Sequence, residues 1–245
     1  MNSRLLEEDD HLEHFPFPHL STRHVSVIAL FAAVQAVATI IPVTITIGVS
    51  GSITLGVVTA PLVGFLLGPT QGGISVLLGS LIGLFLNPSG AIFGALTVVP
   101  PALGAIGAGC VRLKRGYVPG IVILLSICLF YAHPFGRAAI LYPWLHIVAM
   151  IVAFSPLAAL AGTYFSASGL RKITVAVALA AFVGTLTDHA SGSAMGIWYY
   201  NLPASIWNVV MYVYPIERIV TVLIVTAIGA PVYQRLKSSR MLDVF

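Results

Sequence analysis

The polar and aromatic residues of this chain are few, and they gather towards its C-terminal end. Asp188 and His189 are followed by Trp198, Tyr199, Tyr200 and Asn201, then by Trp207, Asn208, Tyr212 and Tyr214, and last by Glu217 and Arg218. Aromatic faces stack flat molecules, and a few placed polar groups orient them, so this mix is what a pocket for a flat, polar small molecule requires. The same Tyr and Trp side chains also fit an interfacial belt, which anchors membrane proteins at headgroup level. Residue types alone leave both readings open. Asn87 and Gln35 join the candidates because each is polar within an apolar run, although either could equally satisfy a neighbouring helix. The substrate-binding candidates are Asn87, Arg137, Asp188, Trp198, Asn201, Trp207, Asn208, Tyr212 and Glu217.

The charges among them constrain one another. Glu217 and Arg218 are adjacent, about 100° apart on a helix, and are not expected to face each other. An unpaired charge in lipid is costly. Pairing Glu217 with Arg137, and Arg218 with Asp188, would balance all four.

Catalytic chemistry has little to build on. Gly48-Val49-Ser50-Gly51 reads as a GxSG element, and His189 could serve it as a base, the arrangement an intramembrane serine protease would need. The match is four residues long in a glycine-rich chain. No G-x-x-x-x-G-K-[ST] phosphate loop is present, so ATP-driven work by that route must come from a partner. The N-terminal histidines His11, His14, His19 and His24 lack the spacing and supporting ligands of a metal site. No catalytic residue, metal or cofactor is expected.

These residues must be positioned by an unusual chain. Of its 245 residues 58% are hydrophobic and only 8% charged, against about 25% charged in soluble domains. The mean hydropathy is +0.98. A soluble enzyme, a nucleic-acid-binding domain and a disordered chain are excluded. Of the twenty charges, seven lie in residues 1–23, nine in 24–234 and four in 235–245. The long middle has to live in a bilayer. Domain organisation follows: a polar cytoplasmic tail over 1–23, a transmembrane domain over 24–237 and a short tail over 238–245.

Eight apolar segments are predicted, near Val25–Val43, Ile53–Leu67, Gly72–Leu86, Ala91–Val111, Tyr117–Tyr131, Leu141–Tyr164, Ile173–Thr187 and Tyr214–Leu236. Several are shorter than the roughly 20 residues a spanning helix needs. The expected fold is therefore an all-α, polytopic bundle of six to eight spans, with short helices and helices kinked at Pro61, Pro100, Pro101 and Pro156. With eight spans and an inside N-terminus, ten of the twelve basic residues fall inside, and only Arg137 and Arg218 fall outside. That asymmetry is the positive-inside rule, and it places both termini in the cytoplasm. No cleavable leader is read at the start. Cys110 and Cys128 are expected at different depths of successive helices, too far apart for a disulfide.

Small residues four apart share a helix face and allow close approach. Such pairs are Ala29 with Ala33, Ala32 with Ala36, Gly79 with Gly83, and Gly90 with Gly94 at the expected start of the fourth helix. Leu67-Gly68-Pro69-Thr70-Gln71-Gly72-Gly73 reads as a tight turn between two short helices.

The order of these features resembles a known family. Ala29-Leu30-Phe31-Ala32-Ala33 opens the first helix, and an uncharged Thr/Ser/Gly loop follows from Thr44 to Thr54. Leu66-Leu67-Gly68-Pro69-Thr70-Gln71-Gly72-Gly73 comes next, and Glu217-Arg218 precedes a last helix ending Gly229-Ala230-Pro231-Val232-Tyr233-Gln234-Arg235-Leu236-Lys237. Together these are similar to the S component, the substrate-binding membrane subunit, of an energy-coupling factor vitamin transporter. The resemblance covers about Val25–Leu86 and the last helix; S components usually have six spans, where this chain has up to eight. It implies that Ala29, Ala32, Ala33 and Ala36 contact a transmembrane coupling subunit, and that the Thr44–Thr54 loop caps an outward-opening pocket. It implies two ABC-type ATPases as further partners, and a small water-soluble vitamin as substrate in the plasma membrane, with no nucleic acid involved. A self-contained secondary transporter or channel is the alternative; the lack of a clear internal repeat and the scarcity of intramembrane charges weigh against it.

Overall fold

The computed structural model describes residues 22–47, 49–88 and 91–239, with backbone only over 22–23 and 43–53. The chain is a helical bundle. Its helices are α1 (Thr22–Ile40), α2 (Gly56–Leu67), α3 (Pro69–Leu86), α4 (Val99–Arg112), α5 (Tyr117–Ala132), α6 (Pro134–Ala138), α7 (Trp144–Phe154), α8 (Pro156–Phe165), α9 (Leu170–Tyr200) and α10 (Ala204–Ser238). The Thr44–Thr54 loop is not irregular: it lies within an antiparallel hairpin of β1 (Pro42–Ile47) and β2 (Val49–Thr54), in register from Pro42 with Thr54 to Ile47 with Val49. A short extended piece, β3 (Ile92–Ala95), precedes α4. Gly94 lies in it at φ 57°, so it is not part of a helical small-residue pair.

Four helical stretches are long and apolar enough to cross a membrane: Pro69–Leu86, Gly94–Arg112, Leu170–Tyr200 and Ala204–Ser238. A fifth forms if α7 and α8, bent by 65° at Ser155, count as one span. Three shorter apolar helices complete the eight segments read from sequence. Large apolar side chains such as Leu30, Phe85, Leu125 and Leu223 stand exposed around the bundle, as lipid-facing residues do and a water-facing surface of this extent does not. The protein is a membrane protein.

Prolines mark helix starts more than kinks. Pro100 and Pro101 sit in the first turn of α4, and Pro156 opens α8 behind its cap Ser155. There the missing N–H has no intrahelical partner to lose. The prolines inside helices are Pro61, Pro215 and Pro231. Gly68 joins α2 to α3 at φ 85°, a backbone state only glycine adopts freely.

The helices alternate in direction between two ends. One end gathers the C-termini of α2, α4, α8 and α10. There Arg112 Nη1 donates to the carbonyls of Phe65 (3.0 Å) and Leu66 (2.6 Å), and Lys237 Nζ donates to those of Phe165 (3.0 Å) and Ala167 (2.7 Å). Each cation satisfies helix-terminal carbonyls that lack an intrahelical donor. Phe65, Phe165 and Tyr233 fill the core beneath them, with centroids 4.9 to 6.4 Å apart. Cys110 and Cys128 are both free thiols.

Glycine and alanine set the spacing. Gly79 presses on the Ala32 carbonyl and Gln35, and Gly83 on Thr39 and the Ala36 carbonyl, so the small residues of α3 pack against α1. A Cβ at Gly64 would lie 2.0 Å from the Ala105 carbonyl oxygen, whereas one at Gly169 would meet nothing. Gly64→Ala should therefore force α2 from α4 and lower stability by about 1–3 kcal/mol or more. Gly169→Ala should stay within about 0.5 kcal/mol of the parent. Thermal unfolding in detergent would show both; equal melting temperatures for the two variants would refute the close α2–α4 contact.

Candidate substrate cavity

At the end opposite Arg112 and Lys237 the helices diverge around a cavity of about 890 Å³. Its wall comes from α1 (Gln35, Thr39), the hairpin base (Pro42, Thr54), α3 (Ser80, Asn87), the approach to α4 (Phe93, Thr97, Pro100), α9 (Asp188, His189, Ser193, Tyr200) and α10 (Trp207, Arg218). Its size falls within the range of small-molecule sites, about 300–1,000 Å³.

Helix α9 supplies the most ordered side of the wall. Asp188, Gly192, Gly196 and Tyr200 recur four apart and share one face. The two glycines leave that face flat between a carboxylate and a phenol. A Cβ at Gly192 would stand 3.7 Å from Pro100, and one at Gly196 would stand 3.6 Å from Phe93 and 3.7 Å from Trp207. Both are ordinary van der Waals contacts, so a methyl group would fit at either position without displacing a neighbour.

Behind α9 lies a packed polar and aromatic layer. Tyr142 donates to Ser193 Oγ (2.7 Å), because the one Ser193 hydroxyl hydrogen is directed to the His189 carbonyl (2.7 Å). Tyr214 places its hydroxyl between the Tyr142 carbonyl (2.9 Å) and the Leu145 N–H (3.3 Å). His146 Nε2 and His189 Nδ1 are 2.9 Å apart, so one ring donates and the other accepts. The imidazoles stack on each other and on Tyr214, with centroids 4.6 to 5.1 Å apart. Tyr142 stacks on Phe130 and meets Trp207 edge-on, each at 4.9 Å. On the other wall Gln35 is fully buried. It accepts from Thr59 and donates to Ser80 (3.3 Å) and the Gly56 carbonyl (3.5 Å), which ties α1 to α2 and α3.

Of the nine residues read from sequence as substrate contacts, Asn87, Asp188 and Trp207 line this cavity. The remaining six do not. Arg137 is exposed on α6 and donates to the Ala132 carbonyl (3.2 Å). Trp198 is exposed with its indole N–H on the Leu129 carbonyl (3.0 Å). Asn201 caps α9 in the left-handed conformation, and Asn208 and Tyr212 are exposed. Glu217 lies beside the cavity, 3.9 Å from Arg218. The two adjacent residues therefore do meet, against expectation: their long side chains close the angle between neighbouring helical positions. Among the described residues no ion pair joins Glu217 to Arg137 or Arg218 to Asp188. Asp188 and His189 do not follow a helix end; α9 runs unbroken through them for three further turns.

The four alanines of α1 divide. Ala32 and Ala36 are buried against α3, whereas Ala29 and Ala33 lie exposed. The tail histidines His11, His14 and His19 lie outside the described residues, as does the Ser50 side chain, and among the described residues no group of three metal-ligating side chains forms. Tyr142, His146 and Ser193 were missed by sequence reasoning. The signal was there: a tyrosine just before α7 and a histidine inside its apolar run, and the Ser191-Gly192-Ser193 cluster in α9.

No family model matches the chain, and no solved structure matches it. A Methanocaldococcus jannaschii protein described as uncharacterised is 35% identical over 167 residues, which are 68% of this chain and 54% of that protein. The chain spans about half the length of the curated relative it matches.

Tyr214→Phe removes two hydrogen bonds and leaves a buried carbonyl and N–H without that partner. It should cost about 1–3 kcal/mol, while Tyr212→Phe, on a side chain 71% exposed, should leave the melting temperature unchanged. Equal melting curves for the two variants would contradict the bridging role of Tyr214.

Proposed function

We propose that this protein is a membrane-embedded binding subunit for uptake of a small water-soluble micronutrient, of the vitamin class. In this reading it sits in the cell membrane with both termini cytoplasmic, and separate coupling and ATPase subunits energise it. The observation that carries the reading is the mixed polar and aromatic cavity at the end opposite the basic residues. By the positive-inside rule the basic end is cytoplasmic, so the cavity opens outwards beneath the hairpin. The sequence has no phosphate loop of its own. Exposed Ala29 and Ala33 offer a flat strip for a helix of the coupling subunit, while Ala32 and Ala36 are already used internally. Cavity binding is tested by thermal-shift and calorimetric titration with thiamine, riboflavin, biotin, pantothenate and pyridoxamine. One of them is expected to bind, and none binding would defeat the reading.

The self-contained transporter is the second reading. The hydrogen-bonded His146–His189 pair favours it, because intramembrane titratable chains serve proton coupling. The coupling strip separates the two. Ala33→Trp should abolish recovery of a coupling membrane protein and two ABC-type ATPases in a gentle detergent pull-down, and leave micronutrient binding intact. Recovery of the chain alone from wild-type membranes would transfer the case to the self-contained transporter.

A further inference from the structure

Asp188 is 9% exposed and lines the cavity. Among the described residues its carboxylate takes part in no hydrogen bond and no ion pair. Burying an ionised carboxylate without a partner is costly. Its neighbours do not remove that cost. Arg218 is the cation of the cavity wall and acts on Asp188 only at longer range, while its guanidinium lies 3.9 Å from Glu217. Arg218 and Glu217 thus balance each other, and Asp188 is left as the uncompensated charge. His189 has its Nδ1 engaged by His146. The cavity wall itself carries one carboxylate, Asp188, and one guanidinium, Arg218, and Glu217 stands beside it, 3.9 Å from that guanidinium. A cationic group placed against Asp188 would supply the close countercharge that this carboxylate lacks.

We propose, resting on the reading of this cavity as a substrate site, that Asp188 anchors a positively charged, N–H-bearing group of the molecule that fills it. The flat Gly192–Gly196 face beside Phe93 and Trp207 would receive the rest of that molecule.

Pyridoxamine, pyridoxine and 4-pyridoxate share one ring and differ in bearing an ammonium, a hydroxyl or a carboxylate. Calorimetric titration of the full chain with each reads the sign of the preference directly. A charge-assisted hydrogen bond predicts pyridoxamine tighter than 4-pyridoxate by at least about tenfold, with pyridoxine between. Asp188→Asn should remove that ranking and Asp188→Glu should keep it. Should Asp188→Asn fail to fold, the wild-type ranking and Asp188→Glu still decide. A ranking that favours 4-pyridoxate, or one that Asp188→Asn leaves unchanged, overturns the anchor and leaves the uptake reading standing. If all three fail to bind and another of the micronutrients above binds, the anchor stands for a cation weakened about tenfold by Asp188→Asn. It falls for any binder that the substitution leaves unchanged. If nothing in either set binds, the uptake reading fails and the anchor with it.

Discussion

The contact between α4 and α9 fixes the geometry of everything above it. A Cβ at Gly184 would stand 2.8 Å from the Gly104 carbonyl oxygen, and one at Gly104 would stand 2.9 Å from that of Gly184. The two backbones touch, and no side chain separates them. One turn further along α9, Asp188 still presses on Gly104, 2.8 Å from its missing Cβ. By Gly192 the nearest atom of α4 has receded to 3.7 Å. The helices therefore close like a hinge at Gly104–Gly184 and part above Asp188. The cavity is the wedge that this divergence leaves, and Asp188 sits where it begins.

The other end is closed by the same economy of small residues, completed with charge. Gly64 fits against Ala105, and Gly109 against the Gly68–Pro69 peptide, so α2, α3 and α4 meet backbone to backbone. Arg112 then seals the C-terminus of α2, and Lys237 that of α8, cations placed where helix carbonyls carry partial negative charge. Basic residues that a topology rule counts only by side of the membrane thus also act as caps. Among the described residues that end is closed by these contacts, and the cavity lies at the other.

Much of this was legible in the sequence. The apolar segments, the α2–α3 turn and the Gly79–Gly83 contact follow from periodicity and residue size. The extent of α9 did not, because hydropathy falls across Thr187–Ser193 and reads as a helix end. The helix continues because its hydroxyls turn back on its own carbonyls: Thr187 on Val183, Ser191 on Thr187, and Ser193 on His189. Asp188 and His189 face the cavity, where water or a ligand meets their needs. The phase of α1 was also hidden. Two alanine pairs offset by three positions look alike in sequence, and only the packing of α3 decides which pair is spent. The cavity residues drawn from outside the C-terminal cluster, such as Thr97 and Tyr142, come from distant segments that no local pattern joins.

A buried charge must be solvated both when the cavity is empty and when it is full. The volume of about 890 Å³ has room for on the order of tens of water molecules, enough to hydrate Asp188 in the empty state. An occupant displaces that water and must replace what it gave the carboxylate, or binding is lost to desolvation. Apolar contact with Phe93 and Trp207 cannot do this, whereas a donor that carries positive charge can. Arg218 lies 3.9 Å from Glu217 on its own helix rather than against Asp188. Were Arg218 paired with Asp188 instead, the occupant would have to break that pair before it could bind. The local Glu217–Arg218 contact, unexpected from helix geometry, is what leaves the Asp188 carboxylate available.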